Sequence, residues 1–485
     1  MDLMRISLKK LRTMLDSKQI SAPELAGLYL KRIADIDSGI LSYITVCSEF
    51  AAEQAKLAQQ LIDDGKAGAL TGIPVAVKDN ICTKGIKTTC ASRMLENFIP
   101  PYNATVVERL NNAGMVMLGK TSMDEFAMGG STQTSAFAKT KNPYDLQRVP
   151  GGSSGGSAAA VSAALAPCSL GSDTGGSIRQ PAAFCGVTGL KPTYSSVSRY
   201  GLVAFASSLD QIGPIASSAE DCAILLNEIA GFDPHDGTSA KKPKQDYTSK
   251  IGKPVKGLKI ALPKEFFGDG IDDDVRQAVL NAAKAYEDMG AKLVEVSLPA
   301  LEYAISAYYL IASAEASSNL SRYDGIKFGY RTAEAQNYEQ LIRKSRTEGF
   351  GDEVKRRILL GTYALCSGYY DAYYKKALAV RQELKRQYAE IFENCDVMLT
   401  PTAPSTAYGI DENIDNPVKM YLADICTVTV NIAGLPAIST TCGYGSNGMP
   451  IGMSIVGKAF DDAAVVQFAD AFERSFEVKP PNMQH

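Results

Sequence analysis

The segment Pro150–Pro181 reads PGGSSGGSAAAVSAALAPCSLGSDTGGSIRQP and contains two glycine-serine loops. A helix is predicted to follow Ser157, after the first loop, and a short strand near Ser169–Leu170 leads into the second. Loops of this composition can bind a phosphate, expose a nucleophile or simply turn the chain. The residues around the two loops decide between these interpretations.

Phosphate binding and the nucleophile elbow of α/β hydrolases both fail on the flanking residues. No lysine follows either loop in the pattern of a phosphate-binding loop, and neither loop has the strand and spacing of a dinucleotide fingerprint. Gly151–Gly155 matches G-x-S-x-G, but that motif needs a preceding strand and a catalytic histidine. The chain has only His235, in a polar turn, and His485. Plain turns remain the alternative for each loop taken alone.

The second loop has the features of a nucleophile site. A short apolar strand leads into Asp-Thr-Gly-Gly, and a helix is predicted to begin at Ser177. Backbone N–H groups at a helix start lack helical partners, and glycines let a substrate approach the backbone closely. We therefore predict Ser177 as a nucleophile. The predicted oxyanion donors are the backbone N–H groups of Thr174, Gly175, Gly176 and Ser177.

The proton of Ser177 needs an acceptor, and the scarcity of histidine leaves lysine as the base. A free lysine has a pKa of ~10.4, and lowering it to ~7 requires about 4–5 kcal/mol of differential stabilisation, which burial can supply. The base should therefore lie at the end of a buried strand. Lys78 directly follows GIPVAV and meets this condition, with Lys191 and Lys120 as the alternatives.

The composition indicates a large intracellular globular protein. The 485 residues are 45% hydrophobic, and the net charge of -3 argues against a chain that grips nucleic acid by itself. The ten cysteines have no C-x-x-C spacing and predict free thiols in a reducing cytoplasm. No apolar run reaches the ~20 residues of a membrane span, and no metal-ligand spacing is present. We expect a cytoplasmic protein without a metal site.

Strand and helix patterns alternate along the chain, which predicts an α/β fold with a sheet covered by helices on both faces. The segment at about 233–257 is polar and predicts a surface loop. The segment at about 304–393 is mostly helical in pattern and rich in tyrosine. Its aromatic side chains are interpreted as core packing.

Two segments identify the chain as a member of the amidase signature family. Gly151–Thr193 resembles the family signature, and GIPVAVKDNI (72–81) resembles its lysine segment. The resemblance implies the amidase signature fold, a large mixed sheet covered by helices, in one catalytic domain over 1–485. The signature core would span about 70–220, and the mostly helical segment would be an addition in the C-terminal half.

The same resemblance implies a Ser-cisSer-Lys triad. Lys78 would be the neutral base, Ser153 would carry the proton, and Ser177 would attack an amide carbonyl to form an acyl-ester. The peptide bond before Ser153 would be cis. The chain has the expected residue at each of these three positions.

Further segments resemble the glutaminase subunits of tRNA-dependent amidotransferases within this family. They include FGDEVKRRILLGTYALCSGYYDAYYKKA (350–377) and MYLADICTVTVNIAGLPAIS (420–439). The resemblance implies glutamine as substrate, with Arg357 pairing with its carboxylate and Asp424 holding its amino group. Arg356 stays an alternative to Arg357. One cation and one anion are what the zwitterionic end of a free amino acid requires.

The resemblance also implies partners and a route for the released ammonia. The chain would form a heterotrimer with a tRNA-binding, kinase-like partner and with a small subunit. The larger partner would use ATP and Mg to activate Glu-tRNA(Gln) as a glutamyl-phosphate and amidate it to Gln-tRNA(Gln), and tRNA would be contacted mainly through that partner. This chain would need no cofactor. The alternatives are a free-standing amidase acting on small or fatty amides and an inactive scaffold.

Overall fold

The computed structural model describes residues 4–412, 417–476 and 478, which form one eleven-stranded sheet and fifteen α-helices. The strands are β1 (Tyr43–Val46), β2 (Pro74–Lys78), β3 (Val116–Thr121), β4 (Cys168–Asp173), β5 (Thr188–Lys191), β6 (Gln211–Ala216), β7 (Lys259–Pro263), β8 (Lys292–Val296), β9 (Val397–Pro401), β10 (Ala437–Tyr444) and β11 (Pro450–Gly457). The helices are α1 (Leu8–Asp16), α2 (Ala22–Ile40), α3 (Ser48–Asp63), α4 (Thr105–Asn112), α5 (Gly155–Ser162), α6 (Arg179–Phe184), α7 (Ala219–Ile229), α8 (Asp273–Asp288), α9 (Leu301–Asn319), α10 (Tyr338–Gly349), α11 (Asp352–Leu365), α12 (Lys375–Asn394), α13 (Pro417–Leu422), α14 (Val428–Ala433) and α15 (Asp462–Ser475).

The sheet is mixed, with the strand order β1-β3-β2-β4-β6-β5-β10-β11-β9-β7-β8. Strand β2 runs parallel to β3 and β4, and β7 runs parallel to β8 and β9. The remaining neighbours pair antiparallel. A large mixed sheet with many helices confirms the predicted α/β class.

Local signals set the start of the chain as the sequence predicts. The Ser7 side chain accepts a hydrogen bond from the Lys10 N–H and caps α1. At α2, the Ser21 hydroxyl accepts from the Glu24 N–H while the Glu24 carboxylate accepts from the Ser21 N–H, so the predicted capping box is present. Such caps satisfy N–H groups that have no partner within the helix.

The helix predicted to begin at Ser177 begins instead at Arg179. The Asp173 carboxylate accepts hydrogen bonds from the N–H groups of Gly176 and Ile178, at 2.8 and 3.1 Å. These bonds hold residues 174–178 as a turn around the carboxylate, so regular helical bonding starts later. Ser177 therefore lies in the turn itself, between two N–H groups that Asp173 holds.

Several short strands are not predicted from the pattern, among them β1, β5 and β6. Strands β1 and β5 have four residues each, and β6 (QIGPIA) contains both glycine and proline, which weaken a strand signal.

No helix in the described ranges combines the length and apolar character that a membrane crossing needs.

Candidate active site

The parallel pairing of β2 and β4 brings the lysine segment to the glycine-serine loops. Val77 pairs with Leu170, so both strands end at the same edge of the sheet. Lys78 is the last residue of β2, and the turn that contains Ser177 follows β4. The first glycine-serine loop leads into α5, which packs on β2 and β4. Three distant segments of the chain thus meet at one edge.

Lys78 is fully buried and surrounded by hydroxyl groups. Its Nζ lies 2.8 Å from Ser153 Oγ and 2.8 Å from Ser154 Oγ. It also lies 3.0 Å from Ser172 Oγ and 3.2 Å from the Ser172 carbonyl oxygen. The amine is therefore within hydrogen-bond distance of the serine that the sequence predicts as the proton carrier.

Burial sets the protonation of this amine. Removal from water lowers the pKa of Lys78 to about 7, although the carboxylates of Asp124, Asp173 and Asp210 act in the opposite direction. A desolvated ammonium loses hydration that the nearby charges replace only in part. A large fraction of Lys78 is therefore neutral near pH 7 and able to accept a proton.

The two alternative lysines are also buried but face other groups. Lys120 Nζ donates to the Ile81 carbonyl oxygen and to Thr88 Oγ1, both at 2.8 Å. Lys191 Nζ donates to the Pro192 carbonyl oxygen at 2.9 Å. Burial lowers the pKa of Lys191 to about 7 as well. Geometry rather than pKa therefore distinguishes Lys78 from Lys191.

The first loop is held by backbone and side-chain contacts around Ser153. The Gly152–Ser153 peptide bond is cis. The Ser153 carbonyl oxygen accepts from the Asp124 N–H at 3.2 Å, and the Gly152 N–H donates to Gln180 Oε1 at 2.9 Å. The two loops also contact each other, since the Ser154 N–H donates to the Ser177 carbonyl oxygen at 3.1 Å. The two loops are therefore joined through the backbone of Ser154, the residue after Ser153.

The turn around Ser177 is built on a buried ion pair. Although burial opposes its charge, Arg179 lowers the pKa of Asp173 to about 2, and the Arg179 Nε lies 3.0 Å from the Asp173 carboxylate. Asn431 Nδ2 donates to the same carboxylate at 2.8 Å. The charged Asp173 holds the N–H groups of Gly176 and Ile178, so the position of Ser177 between them is fixed.

The backbone donors predicted for an oxyanion are not equivalent. The Gly176 N–H donates to Asp173 and is therefore not free for a substrate in this structure. Within the described part of the chain, the N–H groups of Thr174, Gly175 and Ser177 form no hydrogen bond. Ser177 is 8% exposed, so its hydroxyl sits just below the surface of the site. Three of the four predicted donors are available.

Arg357 and Asp424 are linked to this turn through Tyr309 and Thr427. The Arg357 guanidinium stacks over the Tyr309 ring at 4.4 Å, and the Tyr309 hydroxyl donates to Asp424 Oδ2 at 2.6 Å. The Thr427 hydroxyl, three residues after Asp424, donates to the Gly175 carbonyl oxygen at 2.5 Å. One network therefore joins the two predicted substrate-binding residues to the turn that contains Ser177.

Arg357 is charged, buried and incompletely satisfied. It is 3% exposed, and its Nε donates to Glu353 at 2.7 Å. Although burial opposes the charge, Tyr309 and Glu353 hold the pKa of Arg357 above its ordinary value. Its Nη1 has no hydrogen-bond partner in the described structure. A buried guanidinium nitrogen without a partner is a strong donor available to an anion.

Arg356 differs from its neighbour in place and environment. Its side chain is 44% exposed and pairs with Glu353 from the solvent side. Of the two adjacent arginines, only Arg357 stacks on Tyr309.

Burial raises the pKa of Asp424 to about 6, while the Tyr309 hydroxyl and Arg357 favour its charged form.

Several residues at the site carry no distinct signal in the sequence. Lys78 Nζ lies as close to Ser154 Oγ as to Ser153 Oγ, at 2.8 Å, and 3.0 Å from Ser172 Oγ. Tyr309 connects Arg357 to Asp424. Serines and tyrosines are common in the surrounding segments, so pattern alone does not single these out. Within the described ranges, no group of three or more His, Cys, Asp or Glu side chains is arranged to hold a metal ion.

Comparisons with known proteins agree with this architecture. The family model described as Amidase matches residues 24–466. A glutamyl-tRNA(Gln) amidotransferase subunit from Caldanaerobacter subterraneus subsp. tengcongensis is 58% identical, over 99% of this chain and 99% of its own length. The crystal structure of a glutamyl-tRNA(Gln) amidotransferase subunit from Thermotoga maritima matches with a TM-score of 0.83 at 41% identity, covering 100% of this chain and 99% of that chain.

The peptide amidase of Stenotrophomonas maltophilia matches with a TM-score of 0.82 at 28% identity, covering 99% of both chains. The fold is therefore shared with solved proteins that carry different names, a glutamyl-tRNA(Gln) amidotransferase subunit and a peptide amidase. The family predicted from Gly151–Thr193 is confirmed by a match that spans most of the sequence. The chain belongs to the amidase family.

Proposed function

We propose that this chain is the glutaminase subunit of a tRNA-dependent amidotransferase, which hydrolyses glutamine and supplies ammonia for converting Glu-tRNA(Gln) to Gln-tRNA(Gln). One observation carries the proposal: contacts through Tyr309 and Thr427 link buried Arg357 and Asp424 to the turn that bears Ser177. Lys78, whose pKa is lowered by burial, lies at the same edge of the sheet. Relatives that match over their full length and are named as subunits of glutamyl-tRNA(Gln) amidotransferase support the same function.

The first half of the reaction forms an ester on Ser177. The Ser177 hydroxyl oxygen attacks the side-chain carboxamide carbon of glutamine, its proton passes to Ser153, and the Ser153 proton passes to neutral Lys78. Backbone N–H groups of Thr174, Gly175 and Ser177 face the oxyanion that develops. The carbon–nitrogen bond then breaks as Lys78 returns the proton through Ser153 to the nitrogen. Ammonia leaves, and a γ-glutamyl ester remains.

The second half uses the same proton path, with water as the attacking group and the Ser177 oxygen as the leaving group. Water attacks the ester carbon, gives its proton through Ser153 to Lys78, and the ester bond to Ser177 breaks. The proton returns to the Ser177 oxygen, and glutamate is released. The sum is one glutamine and one water converted to one glutamate and one ammonia, with the enzyme unchanged.

The preference for a free amino acid comes from Arg357 and Asp424. In this proposal the unpartnered Nη1 of Arg357 binds the α-carboxylate, and Asp424 binds the α-ammonium group. Tyr309 positions both residues, because its ring packs against Arg357 and its hydroxyl donates to Asp424. An amide without both α-groups would leave the Arg357 Nη1 without an acceptor and would lose the hydrogen bonds to two charged side chains, each of which contributes about 1.5–3 kcal/mol.

The remaining steps belong to partners. A tRNA-binding, kinase-like subunit would use ATP and Mg to activate Glu-tRNA(Gln), and a small subunit would complete a heterotrimer. This chain would contact tRNA mainly through the larger partner. A chain in such a complex works in the cytoplasm, where protein synthesis takes place.

The competing hypothesis is a free-standing amidase with the same triad. Peptide amidase and a bacterial aryl acylamidase share the fold, so the triad alone does not decide the substrate. The test is ammonia release from glutamine, measured on the chain with and without its copurifying subunits, in the wild type and in Ser177→Ala. Glutamine should be turned over far better than simple aliphatic amides, and Ser177→Ala should abolish turnover. Equal turnover of both amides would favour the free-standing amidase, and an active Ser177→Ala would exclude this nucleophile.

A further inference from the structure

A cavity of about 810 Å³ opens beside the active site and contains none of its residues. Its walls come from three segments, 82–102, 202–204 and 319–331. This volume lies in the range of cavities that hold a sizeable ligand or several side chains, roughly 300–1,000 Å³. The reaction proposed above uses no group in this cavity.

Positive charge is concentrated around the cavity. Arg93, Arg322, Lys327 and Arg331 line it, against a single acidic lining residue, Glu96. In the described structure, the side chains of Arg93, Lys327 and Arg331 form no ion pair and no hydrogen bond. The chain as a whole has a net charge of -3, so this local excess of cations is not a general property of the surface. An anionic partner would be attracted to it.

The same surface exposes large apolar groups. Phe328 is 56% exposed and Tyr102 is 40% exposed, and both line the cavity. Ile99 and Ile326, in the segments that form the walls, are 53% and 39% exposed. Aromatic residues and arginine together are the composition of energetically important interface centres between proteins. Ile99 and Ile326 add aliphatic surface beside these rings, which apolar side chains of a polypeptide can cover.

A chain of three hydrogen bonds connects the cavity wall to Lys78. The Val203 N–H donates to the Asn80 carbonyl oxygen at 2.9 Å, and Asn80 Nδ2 donates to Ser172 Oγ at 2.9 Å. Ser172 Oγ lies 3.0 Å from Lys78 Nζ. A partner seated in the cavity would thus lie next to the site that releases ammonia.

We propose that this cavity is the docking site for an acidic, apolar segment of a partner subunit. The proposal rests on the proposed function, in which ammonia passes to a partner chain. Acidic side chains of that segment would pair with Arg93, Lys327 and Arg331, and its apolar side chains would pack on Tyr102 and Phe328. Docking here would bring the partner close to Lys78 without covering Arg357 or Asp424.

The first test reverses the charge of the cavity in the assembled complex. The triple variant Arg93→Glu, Lys327→Glu, Arg331→Glu is produced together with the partner subunits of the same organism. A matched control, Lys10→Glu, Lys31→Glu, Lys56→Glu, makes the same change in net charge at exposed lysines of α1, α2 and α3. We expect the cavity variant to bind its partners at least tenfold more weakly than the control, measured by titration and gel filtration. Equal binding of the two variants would overturn the proposal.

The second test identifies the occupant without altering charge. A photoreactive benzoylphenylalanine replaces Phe328 in the full complex with tRNA present, and Tyr303, which is also 56% exposed but lies outside the cavity, serves as the control position. We expect crosslinks from position 328 to an acidic segment of a partner subunit, and none to that segment from position 303. Crosslinks to tRNA, or no crosslink at position 328, would refute the proposal. Wild-type glutaminase activity is measured alongside, because its absence would refute the proposed function and leave the docking result standing.

Discussion

The lowered pKa of Lys78 predicts the pH dependence of glutamine hydrolysis. The amine must be neutral to accept a proton, so activity is present above its pKa and is lost as the pH falls through it. With a pKa of about 7, the neutral fraction is about 90% at pH 8 and about 1% at pH 5, and kcat/KM should fall about 90-fold between them. An ordinary lysine, with a pKa of ~10.4, would instead let kcat/KM rise about tenfold per pH unit up to about pH 10.

The variants Lys78→Met and Lys191→Met assign this dependence to one lysine. Both residues are buried, and burial lowers both pKa values to about 7, but only Lys78 contacts Ser153. Loss of a general base costs about 10²–10⁴-fold, so Lys78→Met should lower kcat/KM for glutamine by that factor. In Lys191→Met, kcat/KM should still fall as the pH drops through about 7, which is the acid limb of the pH profile.

The assay is initial-rate ammonia release from glutamine between pH 5 and pH 10, with thermal unfolding to confirm that each variant is folded. Two results would refute the reasoning. One is a wild-type kcat/KM that continues to rise tenfold per unit above pH 8. The other is a folded Lys191→Met whose acid limb has moved while that of Lys78→Met has not.

Three further predictions concern the substrate contacts and the nucleophile turn. Arg357→Lys removes the planar group that stacks on Tyr309, so the KM for glutamine should rise about 10–100-fold, equivalent to ~1.5–3 kcal/mol of hydrogen bonding to a charged group. The control variant Arg356→Lys changes a half-exposed side chain and should alter the KM less than about twofold. An equal effect of both substitutions would contradict the assignment of Arg357. Asp424→Asn should raise the KM for glutamine but not for propionamide, which has no α-amino group, as steady-state kinetics with both amides will test. Gly175→Ala places a Cβ in overlap with the Tyr308 ring and should lower the melting temperature. The control Gly27→Ala, in open space on α2, should stabilise the fold by about 0.5–1 kcal/mol. An unchanged melting temperature in Gly175→Ala would show that the turn relaxes freely.

Much of the active site follows from local sequence. The near-absence of histidine directs the search for a base to lysine, and the apolar run before Lys78 predicts a buried strand whose end can lower a pKa. The capping box at Ser21 and the glycines around Ser177 likewise act within a few residues of each other. These features can be predicted from the sequence because the residues that interact lie within a few positions of each other.

Other features needed the tertiary structure. Ser153 lies 75 residues from Lys78 in sequence, and only the parallel pairing of β2 with β4 brings their side chains together. The pKa of Lys191 is lowered as far as that of Lys78, so no local property distinguishes these two lysines. The start of α6 at Arg179 depends on the carboxylate of Asp173, which takes up the Gly176 N–H.

Local sequence patterns predict the family, the α/β class and the residue types of the candidate site. The tertiary structure decided which lysine faces Ser153, which of two adjacent arginines stacks beside Asp424, which backbone N–H groups stay free, and where a cationic cavity forms. The physical reason is that residue type and short-range hydrogen bonding are encoded locally. Burial, ion pairing and the supply of unpartnered donors depend on segments that meet only when the sheet is assembled.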